Sequence, residues 1–308
     1  MRSSLMGRGS LWHKIKKNRN WYVFVLPAVV FYVVFAYSPM YFLQIAFRDY
    51  RLTRALQDSP WVQFKYFLQL FTASEFWTAF YNTLSISLKK LVFGWPVPIV
   101  LSILLNEILN FKSKQIYQTI IYLPHFISWV IIGGIIYSFT SVPDGLFNKI
   151  LSLFGEEPIV FLGQVKMFQP ILVLSDIWRD AGWGTIIYLA AITRISPDLY
   201  EAARIDGAGR LQQILNITLP GIKDIVIVML ILRLGNILNV GFEQVLVLQN
   251  NMVMSVGDTL DTFVWRTGLL NGRYSYATAA GLFKGVIASV MIISADIISK
   301  KSGEQGLL

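Results

Sequence analysis

Six stretches of this chain are long and apolar enough to cross a membrane, and no other feature constrains its fold as strongly. A bilayer core of about 30 Å needs ~20 apolar residues in helical form, because inside lipid a helix satisfies its own backbone. The stretches lie at roughly 21–43, 77–106, 116–139, 168–193, 222–242 and 277–299. The first and third are the cleanest by composition. Lys89–Lys90 interrupt the second, and Arg233 interrupts the fifth. A buried soluble helix could imitate one such stretch but not six. Only 15% of the residues are charged, against about 25% in soluble domains. The expectation is an all-α membrane protein with six transmembrane helices. The first apolar stretch is too long for a signal-peptide core of ~7–15 residues, and no A-x-A site follows, so it reads as a retained anchor helix.

The net charge is +9. Residues 1–20 hold Arg2, Arg8, Lys14, Lys16, Lys17 and Arg19 and no acid. The positive-inside rule therefore places that end in the cytoplasm. Six crossings return the C-terminus, with Lys300 and Lys301, to the same side. The basic excess is thus explained by topology, and no nucleic-acid partner is implied. The chain has no cysteine, which excludes disulfides, Cys-bound metal and thiol catalysis. His13 and His125 are too far apart in sequence to suggest a shared metal site. The expected outer loops are long, about 44–76, 140–167 and 243–276. The inner loop 107–115 is short, and 194–221 is long. The chain divides into a cytoplasmic segment 1–20, a first helix with its outer loop at 21–75, a core at 76–299 and a tail at 300–308.

The loop 196–221 is the most informative segment. Ser196 is a good N-cap, Pro197 suits the first helical position, and Asp198 suits the positive helix end. The helix 197–206 should stop at Asp206-Gly207, where glycine tolerates positive φ. A second helical stretch, about 210–218, precedes Pro220. Ala202 and Ala203 make one face small, so another protein can approach the backbone closely. Glu201, Arg204 and Asp206 offer charge beside it. Physics alone leaves a solvated amphipathic linker equally open.

The pattern Glu201-Ala202-Ala203, three residues, Gly207, nine residues, Ile217-x-Leu219-Pro220 resembles the EAA motif of permease subunits of binding-protein-dependent ABC importers. Tyr122 through Trp129 and Trp178 through Ala191 are similar to the carbohydrate type, MalF-like and LplB-like. The resemblance spans nearly the whole chain and implies the type I ABC importer permease fold. It further implies that 196–218 is a coupling helix seated on a cytoplasmic ATPase, with contacts from Glu201, Ala202, Ala203, Asp206 and Gly207. The implied partners are a second permease, two ABC ATPase subunits, an extracellular solute-binding protein and an oligosaccharide, in a bacterial cytoplasmic membrane among its lipids. No G-x-x-x-x-G-K-[ST] loop occurs, so the chain itself is not expected to be an enzyme or to hold a cofactor. ATP and Mg²⁺ would be used by the partner ATPase. The competing reading is a secondary transporter driven by an ion gradient, which usually has ten or more spans with internal repeats.

Ionisable residues inside spans are costly and suggest a pathway. Here they are Lys89, Lys90, Asp176, Arg179, Asp180, Arg233, Lys284 and Asp296. Four spans place charge at similar depth, as a shared cavity would. Asp176, Arg179 and Asp180 share one helix face, which fits either a pathway or an internal ion pair. Without Asp296, positive charges outnumber negative ones, which suits an acidic sugar. Trp95, Trp178, Trp183, Tyr188 and Phe242 are candidates for stacking on sugar rings, or equally for packing. His125, beside Pro124, reads as a kink or packing residue. The expected substrate pathway comprises Lys89, Lys90, Trp178, Arg179, Asp180, Tyr188 and Arg233.

Overall fold

The structure is a computed structural model that describes residues 18–301. Most of segment 1–20 and of the tail 300–308 therefore lies outside the described residues. Helices dominate, and among the described residues there is no strand, only an isolated bridge between Arg48 and Trp61.

Helix α1 (Arg19–Phe47) buries nothing along its apolar length until Ala46, and it meets the body through its last turns against the final helix. α2 (Lys65–Thr72) caps the end where α3 begins. α3 (Ser74–Asn106) is one continuous rod. Lys89 and Lys90 do not break it. They open a π-helical stretch, Lys90–Gly94, of the kind that often marks a functional site.

The third apolar stretch is not one helix. It forms α4 (Phe111–Phe126) and α5 (Trp129–Thr140), bent by 97°. Pro124 lacks an N–H, Ile127 is extended, and Ser128 caps the new helix by accepting from the Ile131 N–H at 3.4 Å. α6 (Leu146–Leu153) precedes α7 (Val165–Ile192), which runs unbroken through the fourth stretch.

The fifth stretch is also interrupted. α8 (Pro197–Ile205) and α9 (Arg210–Gly221) lead into α10 (Lys223–Gly235), and α9 and α10 meet at 60°. α10 ends seven residues before Phe242. A turn follows, and Gly241 adopts φ +94, which glycine allows at little cost. α11 (Phe242–Leu248) and α12 (Leu260–Trp265, continuing as Arg266–Leu270) fill what the sequence suggested was a loop. α13 (Tyr274–Lys301) is the sixth apolar stretch. Among the described residues three helices pass as spans by length and composition, and five do so if each bent pair counts once. α7 carries Asp176, Arg179 and Asp180 through its middle.

The packing has two ends. At the end opposite α8, Ile86, Leu172, Val245 and Leu248 join α3, α7 and α11, while Phe76, Leu260, Phe263 and Ala280 join α3, α12 and α13. The segment 243–276 is therefore core rather than surface loop, because its apolar side chains cover both faces of α3. At the α8 end, Ile99, Tyr188, Ile192 and Ile222 form a third cluster. The charged middles of α3 and α7 lie between these clusters.

Candidate functional site

A cavity of about 390 Å³ opens between the two ends, walled by α3, α5, α7, α10 and the turn after α10. It brings together Lys90, Arg179, Asp180 and Arg233 of the expected pathway, together with Asp176. Lys90 is buried. Its ammonium donates to Asp176 Oδ1 at 2.6 Å, Gln244 Oε1 at 2.6 Å and the Val240 carbonyl at 2.8 Å. It thereby ties α3 to α7 and to the start of α11. Arg179 donates to Asp180 Oδ1 at 2.9 Å, and Asp180 also faces His125 Nδ1 at 2.8 Å. Arg233 is different. It donates to the Lys90 carbonyl at 3.3 Å and has no carboxylate partner among the described residues. Three cations and two carboxylates line the wall, and the single positive excess resides on Arg233.

The sequence estimate of a broadly positive interior is thus corrected. Lys284 is neutralised by Asp261, and Lys89 turns away from the cavity to Gln169. A helix turns ~100° per residue, so adjacent lysines need not face the same space. Trp178 lines a separate, almost wholly apolar cavity with Ile132, Phe139 and Leu174. Tyr188 is packed in the cluster at the α8 end. Trp183 stacks on His125, with ring centroids 4.6 Å apart. Sequence reasoning missed Trp129, Asn236 and Asn239 on the cavity wall. The Gly235-Asn236 pair, a helix-stop signal inside an apolar stretch, was the available clue.

The second site is the surface at α8. The Ser196 hydroxyl accepts from the Asp198 N–H at 3.3 Å, as an N-cap should. The helix closes with Gly207 at φ +80. The Ala208 N–H reaches the Ala203 carbonyl at 2.8 Å, and the Gly207 N–H reaches Arg204 at 3.1 Å, the paired bonds of a Schellman stop. Tyr200 Oη meets Thr218 Oγ1 at 2.9 Å, and Arg210 pairs with Glu107 at the end of α3. The helix is therefore braced from behind. Its front is open: Glu201, Ala202 and Asp206 are exposed, Ala203 is half-buried, and Ile205 is 87% exposed. Glu201 makes no hydrogen bond or ion pair among the described residues. A charged, small-residue helix held rigidly with a bare apolar tip is suited to receive another protein.

Residues 94–302, which include this surface and most of the cavity wall but not Ser87, Lys90 and Leu91, match the family of binding-protein-dependent transport system inner membrane components. The chain belongs to that family. The permease is 43% identical to the polygalacturonan/rhamnogalacturonan transport system permease protein YteP of Bacillus subtilis (strain 168), over 96% of this chain and 92% of YteP. It is 42% identical to Protein LplB of the same organism, over 98% of this chain and 95% of LplB. A chain of a solved bacterial alginate ABC transporter, in complex with an alginate pentasaccharide-bound periplasmic protein, matches it with a TM-score of 0.89 at 40% identity. That match covers 96% of this permease and 99% of the other chain. Membership makes the chain a subunit of an ABC importer, not an ion-driven carrier.

Proposed function

We propose that this permease carries an oligosaccharide with carboxylated sugar units inward by alternating access. The observation behind this is Arg233, which faces the central cavity without a carboxylate while the other charges on that wall are paired. A guanidinium can hold a carboxylate through two parallel hydrogen bonds. A neutral cargo would leave that charge uncompensated away from bulk water, which is costly. The named cargoes of two relatives fit: polygalacturonan is built of uronate units, and alginate is an acidic polysaccharide.

In this reading α1, α3, the α4–α5 pair, α7, the α9–α10 pair and α13 make six crossings of a bacterial cytoplasmic membrane. The basic residues at both ends hold the termini and α8 in the cytoplasm. A second permease completes the pathway, and two ATPase subunits, using ATP and Mg²⁺, seat on Glu201, Ala203 and Gly207. An extracellular solute-binding protein delivers the sugar. The segment before α3 is an appendage to the core.

The test is ATP-driven uptake by the full complex in proteoliposomes, with tetragalacturonate beside maltotetraose. Tetragalacturonate should be preferred, and Arg233→Gln should lower its uptake about tenfold or more with little effect on maltotetraose. A wild-type preference for maltotetraose, or equal loss of both in the variant, overturns the acidic cargo.

A further inference from the structure

The bend between α4 and α5 poses a problem that α7 solves. In an uninterrupted helix the His125 carbonyl would accept from the N–H of residue 129, and the Ile127 carbonyl from that of residue 131. The 97° break removes both bonds in the middle of an apolar stretch, where an unpaired carbonyl is expensive. The Ile131 N–H is turned instead to the Ser128 hydroxyl at 3.4 Å. Both carbonyls are recovered by one side chain. Arg179 Nε donates to the Ile127 carbonyl at 3.2 Å, and Nη2 donates to the His125 carbonyl at 3.2 Å. Its Nη1 donates to Asp180 Oδ1 at 2.9 Å, which orients the fork. The plane lies against Trp129, with Cζ 5.0 Å from the ring centroid.

The rest of α7 completes the grip. Asp180 also meets His125 Nδ1 at 2.8 Å, and Trp183 stacks on the same imidazole. Gly182 lets the two backbones touch: a Cβ there would stand 2.0 Å from the Ile121 carbonyl oxygen. Residues 179, 180, 182 and 183 thus embrace the last turns of α4 and the first of α5. Three of the five guanidinium N–H groups are engaged by these contacts, and the fork geometry is set by protein rather than left open for cargo.

We infer that Arg179 is a positioning residue of the permease, not a ligand for the sugar's carboxylate. It substitutes for the two backbone donors lost at the break, fixes the angle between α4 and α5, and so holds Trp129 in the wall of the cavity. This rests on the importer assignment but is independent of whether the cargo is acidic. A lysine could keep the charge yet could not serve two carbonyls and a carboxylate from one planar fork.

The absence of native cysteine allows a direct measurement. Spin labels on Ile120→Cys and Ile131→Cys, both exposed, report the distance across the break by pulsed dipolar spectroscopy in the assembled complex. The wild type should show one narrow population. Arg179→Gln and Arg179→Lys should broaden it or move it to longer distance as the angle opens. In proteoliposomes both should raise KM for tetragalacturonate and maltotetraose alike, by about tenfold. Asp180→Asn, which keeps both carbonyl bonds, should shift the distance less and in the same direction. It carries the test with Arg179→Lys if Arg179→Gln does not assemble. An unchanged distance in the Arg179 variants overturns the inference. So does loss of tetragalacturonate uptake alone in Arg179→Gln with rescue by Arg179→Lys. A wild type that prefers maltotetraose refutes the acidic cargo and leaves the distance arm to decide the role of Arg179.

Discussion

Lys90 on α3 and Asp176 on α7 form an ion pair at 2.6 Å in the middle of the molecule, and their side chains are only 8% and 17% exposed. Two helices that pack through apolar clusters at both ends are thus locked together by charge at their centres. Breaking a buried pair from one side leaves an uncompensated charge, at about 3–5 kcal/mol. Replacing both partners by apolar groups is far milder. Asp176→Asn should therefore lower the temperature at which the detergent-solubilised protein loses monodispersity more than Lys90→Met/Asp176→Leu does. The reverse order would show that the pair contributes little to holding α3 against α7.

Gly207 tests the proposed coupling role of α8 without touching the cavity. A Cβ there would meet nothing within 4 Å, so only the backbone conformation, φ +80, resists a side chain. That conformation costs an ordinary residue ~1–2 kcal/mol, and a β-branched one more. Gly207→Val should leave insertion intact and abolish uptake coupled to ATP hydrolysis. Gly207→Asn should retain much of it, since asparagine tolerates the left-handed region. Persistent coupled uptake in the valine variant would remove α8 from the coupling role.

The contact of α7 with α4 makes a steric prediction. Gly182→Ala places a methyl group against the Ile121 carbonyl oxygen, a backbone atom that cannot rotate away. The two helices must separate, and folded yield should fall sharply. Gly134→Ala on α5 meets nothing within 4 Å and should be neutral or stabilising by up to ~1 kcal/mol, the difference in helix propensity. Size-exclusion profiles of the two variants give the comparison.

The segment between α1 and α3 should loosen at both extremes of pH. Tyr66 Oη donates to Asp49 Oδ1 at 2.6 Å, and this bond holds the Asp49 pKa below its usual value. The stabilisation is complete above ~3.9 and disappears as pH falls through the lower folded value. Burial first, and Asp49 second, push Tyr66 up to about 12. The folded chain keeps that proton where the unfolded chain loses it, so stabilisation is complete below ~10 and lost as pH rises beyond. A dye on Leu52→Cys, at an exposed site, should gain rotational freedom on both limbs. Tyr66→Phe should flatten both. A profile unaffected by Tyr66→Phe would assign the pH response to other groups.

The apolar runs, the basic ends and the spaced EAA pattern were legible residue by residue, because each depends on local properties: lipid solubility, charge near a span, and a turn that needs glycine. Helix α8 was read to within a residue of its end for that reason. The sequence alone also singled out Lys90, Arg179, Asp180 and Arg233 as costly charges. It could not pair them. Whether a charge is spent or free depends on which helix lies opposite, and that is set by packing between residues far apart in the chain, such as Lys90 with Asp176, Val240 and Gln244. The same holds for the third stretch, where hydropathy shows one span. At the break, the His125 and Ile127 carbonyls accept from Arg179, some fifty residues later, in place of the helix bonds that are given up. Segment 243–276 looked like a loop because α11 and α12 are short. Tertiary structure made them core, since their apolar faces have α3 and α13 to bury against.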